Sequence, residues 1–250
     1  MIKLVHGDCL DAMTDIDSES VDMILTDLPY GTTACKWDSV IPLDRIWEQY
    51  IRIAKKDAAI VLTSAQPFTS ALVMSNPKMF KYEWIWDKKI PSGMSYARFQ
   101  PMRQHESVLV FSRGTPIYFP QMTQRDKPIR GGGMSKGETT GNEDLVALRK
   151  TYDQKNPTTI LRFDKVRLGS LHPTQKPVPL FEYLIRTYTK QGDLVLDSCA
   201  GSGTTGVACL NSGRDCILIE RDATYYQIMS DRLQALQVHM DVRDLGKIEV

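Results

Sequence analysis

The stretch Asp193-Leu-Val-Leu-Asp-Ser-Cys-Ala-Gly-Ser-Gly-Thr-Thr205 decides the fold. Leu194, Val195 and Leu196 form a short apolar run, the pattern of a strand buried on both faces. Asp197 falls where that strand ends. Gly201 and Gly203 permit a tight turn with close backbone approach, and Thr204 to Asn211 reads as the start of a helix. Strand, glycine turn and helix start together suit a nucleotide-like ligand, because the first amides of a helix lack partners within it and point at whatever lies in front. Gly206 completes a Gly-x-Gly-x-x-Gly pattern, which alone also fits an ordinary strand-to-helix turn. A second apolar run, Cys216 to Ile219, ends in Glu220, an acid placed to bind the hydroxyls of a ribose.

A complete half of such a sheet needs a third strand, yet only 30 residues follow Glu220. They begin with the helical pattern Thr224 to Gln237 and end in charged residues. The N-terminus offers the missing strand, Ile2-Lys3-Leu4-Val5-His6, closing in Gly7-Asp8. The sheet is therefore expected to be permuted, its cofactor half split between the two chain ends.

Working outward, Val21 to Thr26 is a nearly all-apolar strand, expected at the centre of the sheet and ending at Asp27-Leu28-Pro29-Tyr30. Pro42 to Ala54 reads as a helix, with Leu43, Ile46, Trp47, Tyr50 and Ile53 at helical spacing. Ala58 to Thr63 is a strand and Gln66 to Met74 a short helix. Tyr82 to Trp86 and Ser107 to Phe111 are strands rich in β-formers. Gly114 to Gly169 lacks steady periodicity and reads as an inserted module. Pro177 to Thr189 is a helix. About seven strands alternating with helices imply an open α/β sheet of Rossmann-like type. The expected organisation is 1–113, an inserted 114–169, and 170–250. Ligands of such sheets lie beyond the carboxyl ends of the strands, so Asp8, Asp27, Asp197 and Glu220 are expected to converge on one cleft.

Bulk properties narrow the function classes. The 42% apolar content supports a real core. No apolar run approaches the roughly 18 residues of a membrane span, and the N-terminus lacks the apolar segment of a signal peptide. The five cysteines include no Cys-x-x-Cys pair, so reduced thiols in a cytoplasmic protein are expected, with no metal site. The net charge of +1 hides an asymmetry. Residues 81–176 hold 17 Lys and Arg against 9 Asp and Glu, whereas the remainder holds 14 against 21. A basic middle suits a polyanion, though it also fits a solvated basic face.

Asp27-Leu28-Pro29-Tyr30 carries the chemistry. Pro29 biases Leu28 toward extended backbone, which holds the Leu28 carbonyl in one direction. That carbonyl and the Asp27 carboxylate can both accept from one amino group, and Tyr30 offers a flat face for a base to stack on. The bland alternative is a turn that ends a strand.

With these residues in view, the chain resembles the β-group of amino-methylating DNA methyltransferases, which use S-adenosylmethionine. The order is Asp27-Leu-Pro-Tyr30, a basic variable region, His172-Pro-Thr-Gln-Lys-Pro177, then Asp197 to Thr205; His105-Glu106 also fits the family pattern. The resemblance implies that Asp197, Gly201 and Gly203, with Ala200, Ser202 and Thr204 of the same loop, hold the methionine part of the cofactor. It puts Glu220 on the ribose, Asp8 and Cys9 near the adenine, and Thr174 and Lys176 at the methionine end. His172 is expected to be structural. The inserted module is implied to recognise the target in double-stranded DNA, through some of Arg125, Lys127, Arg130, Lys136, Arg149 and Lys150. A homodimer is implied in the same way. Two departures stand out: Leu28 replaces the first proline of the family tetrapeptide, and Ser198-Cys199 replaces its usual Pro-Phe. Asp at the first tetrapeptide position goes with N6 of adenine; N4 of cytosine is the alternative.

Other classes remain open at this point. A nicotinamide-dependent dehydrogenase accounts for the glycine pattern but not for Asp27 to Tyr30. A DNA-binding protein of the same fold without methyl transfer is a third reading, and RNA as substrate a fourth.

Overall fold

The computed structural model describes residues 1–31, 38–130, 151–166 and 169–245. Cys35, Lys136, Arg149 and Lys150 lie outside the described residues. Among those described, eight strands form one sheet in the order β1 (Ile2–His6), β10 (Asp215–Glu220), β9 (Leu194–Asp197), β2 (Val21–Thr26), β3 (Ala54–Ser64), β5 (Arg103–Phe111), β4 (Phe80–Ser92) and β8 (Ile160–Arg162). β1, β10, β9, β2 and β3 run parallel, and β5 runs antiparallel to both β3 and β4. The N-terminal strand joins the last one as expected, with Ile2 opposite Cys216 and His6 opposite Glu220. β2 is central.

Alternation along β2 and β3 divides the core into two layers. Met23, Leu25, Ala59 and Val61 face one side, where Leu180 and Leu184 of α4 (Val178–Tyr188), Val207 of α5 (Thr204–Ser212) and Leu233 of α6 (Ala223–Leu245) pack. Ile24, Ile60 and Leu62 face the other. There they meet Met13 of α1 (Cys9–Met13), Ile46, Trp47 and Tyr50 of α2 (Leu43–Ile53), and Phe68 and Leu72 of α3 (Phe68–Ser75). The sheet is thus covered on both faces, as its near-continuous apolar strands require.

Several elements differ from the expected bounds. β4 continues well past Trp86, through Asp87-Lys88-Lys89, because Lys88 is buried and paired rather than solvated. The one-turn α1 had no periodic signal; Asp8 makes it by accepting from the Leu10 amide at 2.9 Å. The stretch 114–169 holds regular structure after all. β6 (Thr123–Arg130) pairs antiparallel with β7 (Thr151–Lys155), and both are largely exposed, so neither carries apolar alternation.

The chain divides into two compact units, Met1–Phe119 with Thr159–Val250, and Pro120–Thr158. The flanks of the stretch 114–169 belong to the larger unit: the Gly114 amide donates to the Lys56 carbonyl at 3.0 Å, and β8 extends the sheet beside β4. No helix among the described residues is long and apolar enough to cross a membrane.

Candidate active site

Parallel pairing of β1, β10, β9 and β2 brings Asp8, Glu220, Asp197 and Asp27 together at the carboxyl ends of the strands. All four line a single cavity of about 850 Å³, within the size range of small-molecule sites. Leu28, Pro29, Tyr30, Cys9, Thr174, Lys176, Ala200, Gly201, Ser202 and Thr204 line it too. Gly203 does not. Its φ is +79°, and a Cβ there would lie 2.8 Å from Cγ of Met229, so it serves the turn and the packing of α6. Gly206 likewise lets α5 approach Leu218 and Leu233.

The glycine loop is braced by its own acids. The buried Asp197 carboxylate accepts from the Thr205 hydroxyl and from the Cys199 amide at 3.1 Å. Burial is the main reason its pKa is pushed up to about 7; those hydrogen bonds oppose the rise, and Asp27 and Glu220 add to it. Glu220 accepts from the Gly201 amide at 2.7 Å and the Asp222 amide at 2.8 Å. Ser198, where the family has proline, ties the loop sideways: its amide donates to Thr26 Oγ1 at 3.1 Å and its hydroxyl meets the Tyr50 hydroxyl at 2.6 Å. Cys9 lies on the cavity wall as a free thiol hydrogen-bonded with that of Cys199, which lowers the Cys9 pKa, while that contact and burial raise Cys199.

His172 orders the loop before α4. Its Nδ1 accepts from the Thr174 amide at 3.2 Å, and its ring lies 4.2 Å from that of Tyr225. Burial lowers its pKa, which favours the neutral ring that this acceptor role needs. The same loop delivers Lys176 to a place the sequence did not indicate. Lys176 is buried, and its Nζ lies 2.5 Å from Asp27 Oδ2 and 3.6 Å from Glu106 Oε2. Burial alone lowers a lysine pKa, but Asp27 and Glu106 outweigh it and the net shift is upward.

Sheet register completes the cluster. Thr26 pairs with Leu62, so Asp27 stands beside Thr63, whose hydroxyl donates to Asp27 Oδ1. The Tyr30 hydroxyl donates to the same oxygen at 2.7 Å. Burial, with Asp27 and Glu106 nearby, holds the Tyr30 phenol far above its ordinary pKa, so it remains a donor. The Tyr30 ring stacks on Phe68 with centroids 5.3 Å apart, and the Lys176 ammonium lies 5.6 Å from its centroid. On β4 and β5, Trp86 pairs with Glu106, and Lys88 Nζ lies 3.1 Å from Glu106 Oε1. Thr63 and Phe68 escaped the sequence reading because their strand and helix read simply as core, and Lys88 because its strand was expected to end at Trp86; only His105-Glu106 carried a signal.

Between β4 and β5 a loop with a 3-10 turn at Met94–Tyr96 adds Gly93, Tyr96, Gln100 and Pro101 to the cavity wall. It also exposes Met94, Tyr96 and Phe99, the last at 85%. In the smaller unit, Lys127 and Arg130 are exposed on β6, whereas Arg125 donates to the Gln154 carbonyl at 2.9 Å. Among the described residues no group of three or more His, Cys, Asp or Glu is placed to hold a metal ion.

Comparison with known proteins agrees with this geometry. DNA adenine methyltransferase YhdJ of Escherichia coli (strain K12) is 27% identical over 267 residues, spanning 98% of this chain and 87% of the relative. Type II methyltransferase M.HpaI of Haemophilus parainfluenzae is 24% identical, spanning 93% of this chain and 74% of its own. The crystal structure of the M1.HpyAVI–SAM complex superposes with a TM-score of 0.64 at 26% identity, over 93% of this chain and all of that one. PvuII DNA methyltransferase (cytosine-N4-specific) shares the fold, with a TM-score of 0.66 at 16% identity over 92% of this chain and 85% of that one. The family model described as DNA methylase matches residues 21–231, and this chain belongs to that family, the DNA methyltransferases that modify N6 of adenine or N4 of cytosine.

Proposed function

We propose that this protein transfers a methyl group from S-adenosylmethionine to N6 of an adenine in double-stranded DNA. The observation that carries the reading is the Asp27 carboxylate, partly exposed in the same cavity as the glycine loop and Glu220. The cavity suits the cofactor in size and in chemistry. It joins acids at the ends of β1 and β10 to the start of α5, where Gly201 presents bare backbone with φ +51°. Glu220 and Asp8 are assigned to the ribose and adenine side, and Thr174, Ala200, Gly201, Ser202 and Thr204 to the methionine side. Asp197, whose carboxylate is already engaged, contributes through the loop it braces.

The bound cofactor supplies a methyl group on a sulfonium, an electrophile with a neutral leaving group. The protein's own residues then have three tasks. Asp27 and the Leu28 carbonyl accept the hydrogens of the target amine and orient its nitrogen. As positive charge develops on that nitrogen, these acceptors stabilise it, and once the nitrogen–methyl bond has replaced the sulfur–methyl bond the amine's surplus proton leaves to solvent by way of the Asp27 carboxylate. Tyr30, fixed by Phe68 and by its bond to Asp27, presents its ring to a base turned out of the duplex.

Asp at the head of the tetrapeptide and the adenine methyltransferase among the similar relatives support adenine. Nuclease digestion and mass spectrometry of DNA from cells expressing the chain should yield N6-methyladenine. N4-methylcytosine without it overturns the adenine assignment and leaves the family intact.

We assign 1–113 to the catalytic half, 170–250 to the cofactor half in a permuted order, and the stretch between them to target recognition. Its basic residues Lys127 and Arg130, with Arg125 as a brace, are assigned to DNA phosphates. Neutralising all three should lower the magnitude of the logarithmic salt slope of DNA binding by about 2 to 3; an unchanged slope moves the DNA surface elsewhere. A homodimer rests on the family resemblance, and sedimentation of the free protein tests it.

A further inference from the structure

The charges around Asp27 form an alternating row, Lys88, Glu106, Lys176, Asp27, in which the two lysines are buried and the two acids partly so. Its weak point is Glu106. One carboxylate oxygen, Oε1, is held by Lys88 at 3.1 Å. The other, Oε2, is buried with no hydrogen-bond partner among the described residues, although Lys176 Nζ is only 3.6 Å away. A buried carboxylate oxygen without a partner is costly. Lys88, itself buried, anchors the carboxylate so that the empty oxygen stays turned toward Lys176.

Asp27, by contrast, is crowded. Tyr30 and Thr63 donate to Oδ1 and Lys176 to Oδ2. An ammonium 2.5 Å from Oδ2 spends much of the negative charge that a reacting amine needs, and it opposes the positive charge growing on that amine. The two carboxylates compete for one lysine, and passing it between them leaves the net charge of the row unchanged.

We propose that Glu106 is a positioning residue: it draws the Lys176 ammonium off Asp27 when the target amine arrives, and so frees the Asp27 carboxylate for methyl transfer. The inference rests on Asp27 accepting the target amine, as proposed above. It also gives Lys176 a role at the amine acceptor rather than on the cofactor.

The test uses the full chain, S-adenosylmethionine and unmethylated plasmid DNA. Glu106→Gln keeps the shape but not the charge. It should lower kcat about tenfold or more while each KM moves less than about threefold, the pattern of an interaction made in the transition state. Adding Lys176→Met to that variant should raise kcat again, because Asp27 no longer has a lysine to release. A kcat near wild type for Glu106→Gln, or no gain in the double variant, overturns the proposal. A purely structural Glu106 would lower Tm with wild-type kcat per folded molecule, counted by cofactor titration, and that also overturns it. If Glu106→Gln does not fold, Glu106→Asp serves instead: it keeps the charge but withdraws it, and should lower kcat by about threefold to tenfold, with wild-type kcat counting against the proposal. Asp27→Ala separates the two readings. If it retains turnover, the Asp27 assignment fails; if it is inactive and Glu106→Gln is unimpaired, only the competition for Lys176 fails.

Discussion

Asp27 and Asp197 are the same residue type at the ends of neighbouring parallel strands, β2 and β9, and they line one cavity. Their surroundings part them. Asp197 is buried and answered by neutral donors close by in the chain, the Cys199 amide of its own loop and the Thr205 hydroxyl in the first turn of α5. Asp27 keeps contact with the cavity and is answered by a cation from a distant segment, Lys176, as well as by Tyr30 and Thr63. Local neutral partners make an acid part of a scaffold. A long-range, charged partner leaves an acid whose charge can be redirected. The contrast fits the proposed division of labour, in which Asp197 holds the loop and Asp27 accepts the target amine.

The largest expected effect tests the reactive side. Asp27→Ala should cut turnover by about a hundredfold or more, the scale on which a lost electrostatic contact to a transition state is felt. Cofactor affinity should stay within a few-fold by calorimetry. Gly203→Asp tests the scaffold side. Its side chain has no room beside Met229 and sits on backbone at φ +79°, so it should cost about 2 kcal/mol or more of stability. Because α5 starts there, cofactor affinity should fall with Tm in the same preparation. If calorimetry shows Asp27→Ala losing the cofactor as completely as Gly203→Asp, the division between the two acids collapses.

The smallest effect sharpens the comparison. Asp197→Asn keeps an oxygen for the loop and removes the ionisation, so turnover should remain within about threefold of wild type. Its stability should nonetheless carry a pH signature. Asp197 ionises near 3.8 in the unfolded chain and near 7 in the fold. Between those values the folded state holds a proton that the unfolded state has released, so this acid lowers stability as pH rises through the window and adds no further slope above it. Asparagine has no such proton, and the variant should gain in Tm relative to wild type from the lower to the upper end of that range. A constant difference in Tm across pH would show that burial does not hold the proton on Asp197.

Much of this molecule was legible before its structure. Leu194–Leu196 and Cys216–Ile219 announced buried parallel strands, and Ile2–His6 read as the strand that joins them, as the pairing of β1 with β10 bears out. Gly201 and Gly203 announced a turn and Gly206 completed the pattern, and their causes differ: Gly201 faces the cavity, Gly203 serves the turn and the packing of α6, and Gly206 the packing of α5 alone. Regions with weak patterns were less legible. β6 and β7 are largely exposed, and the far half of β4 buries a charge, Lys88, where an apolar residue would mark the inward face, so neither region follows the apolar alternation that marks an ordinary strand.

The sequence by itself determined which strands lie buried, where they end, and that acids sit at those ends, because such features depend on neighbours in the chain and on side-chain period. Only the tertiary structure decided which charged partners each acid meets. Lys176 lies 149 positions from Asp27 and meets it through the loop ahead of α4, while Glu106 and Lys88 arrive on β5 and β4. The charge that each carboxylate can offer is set by partners a few ångströms away in space, whose sequence separation leaves no periodic trace.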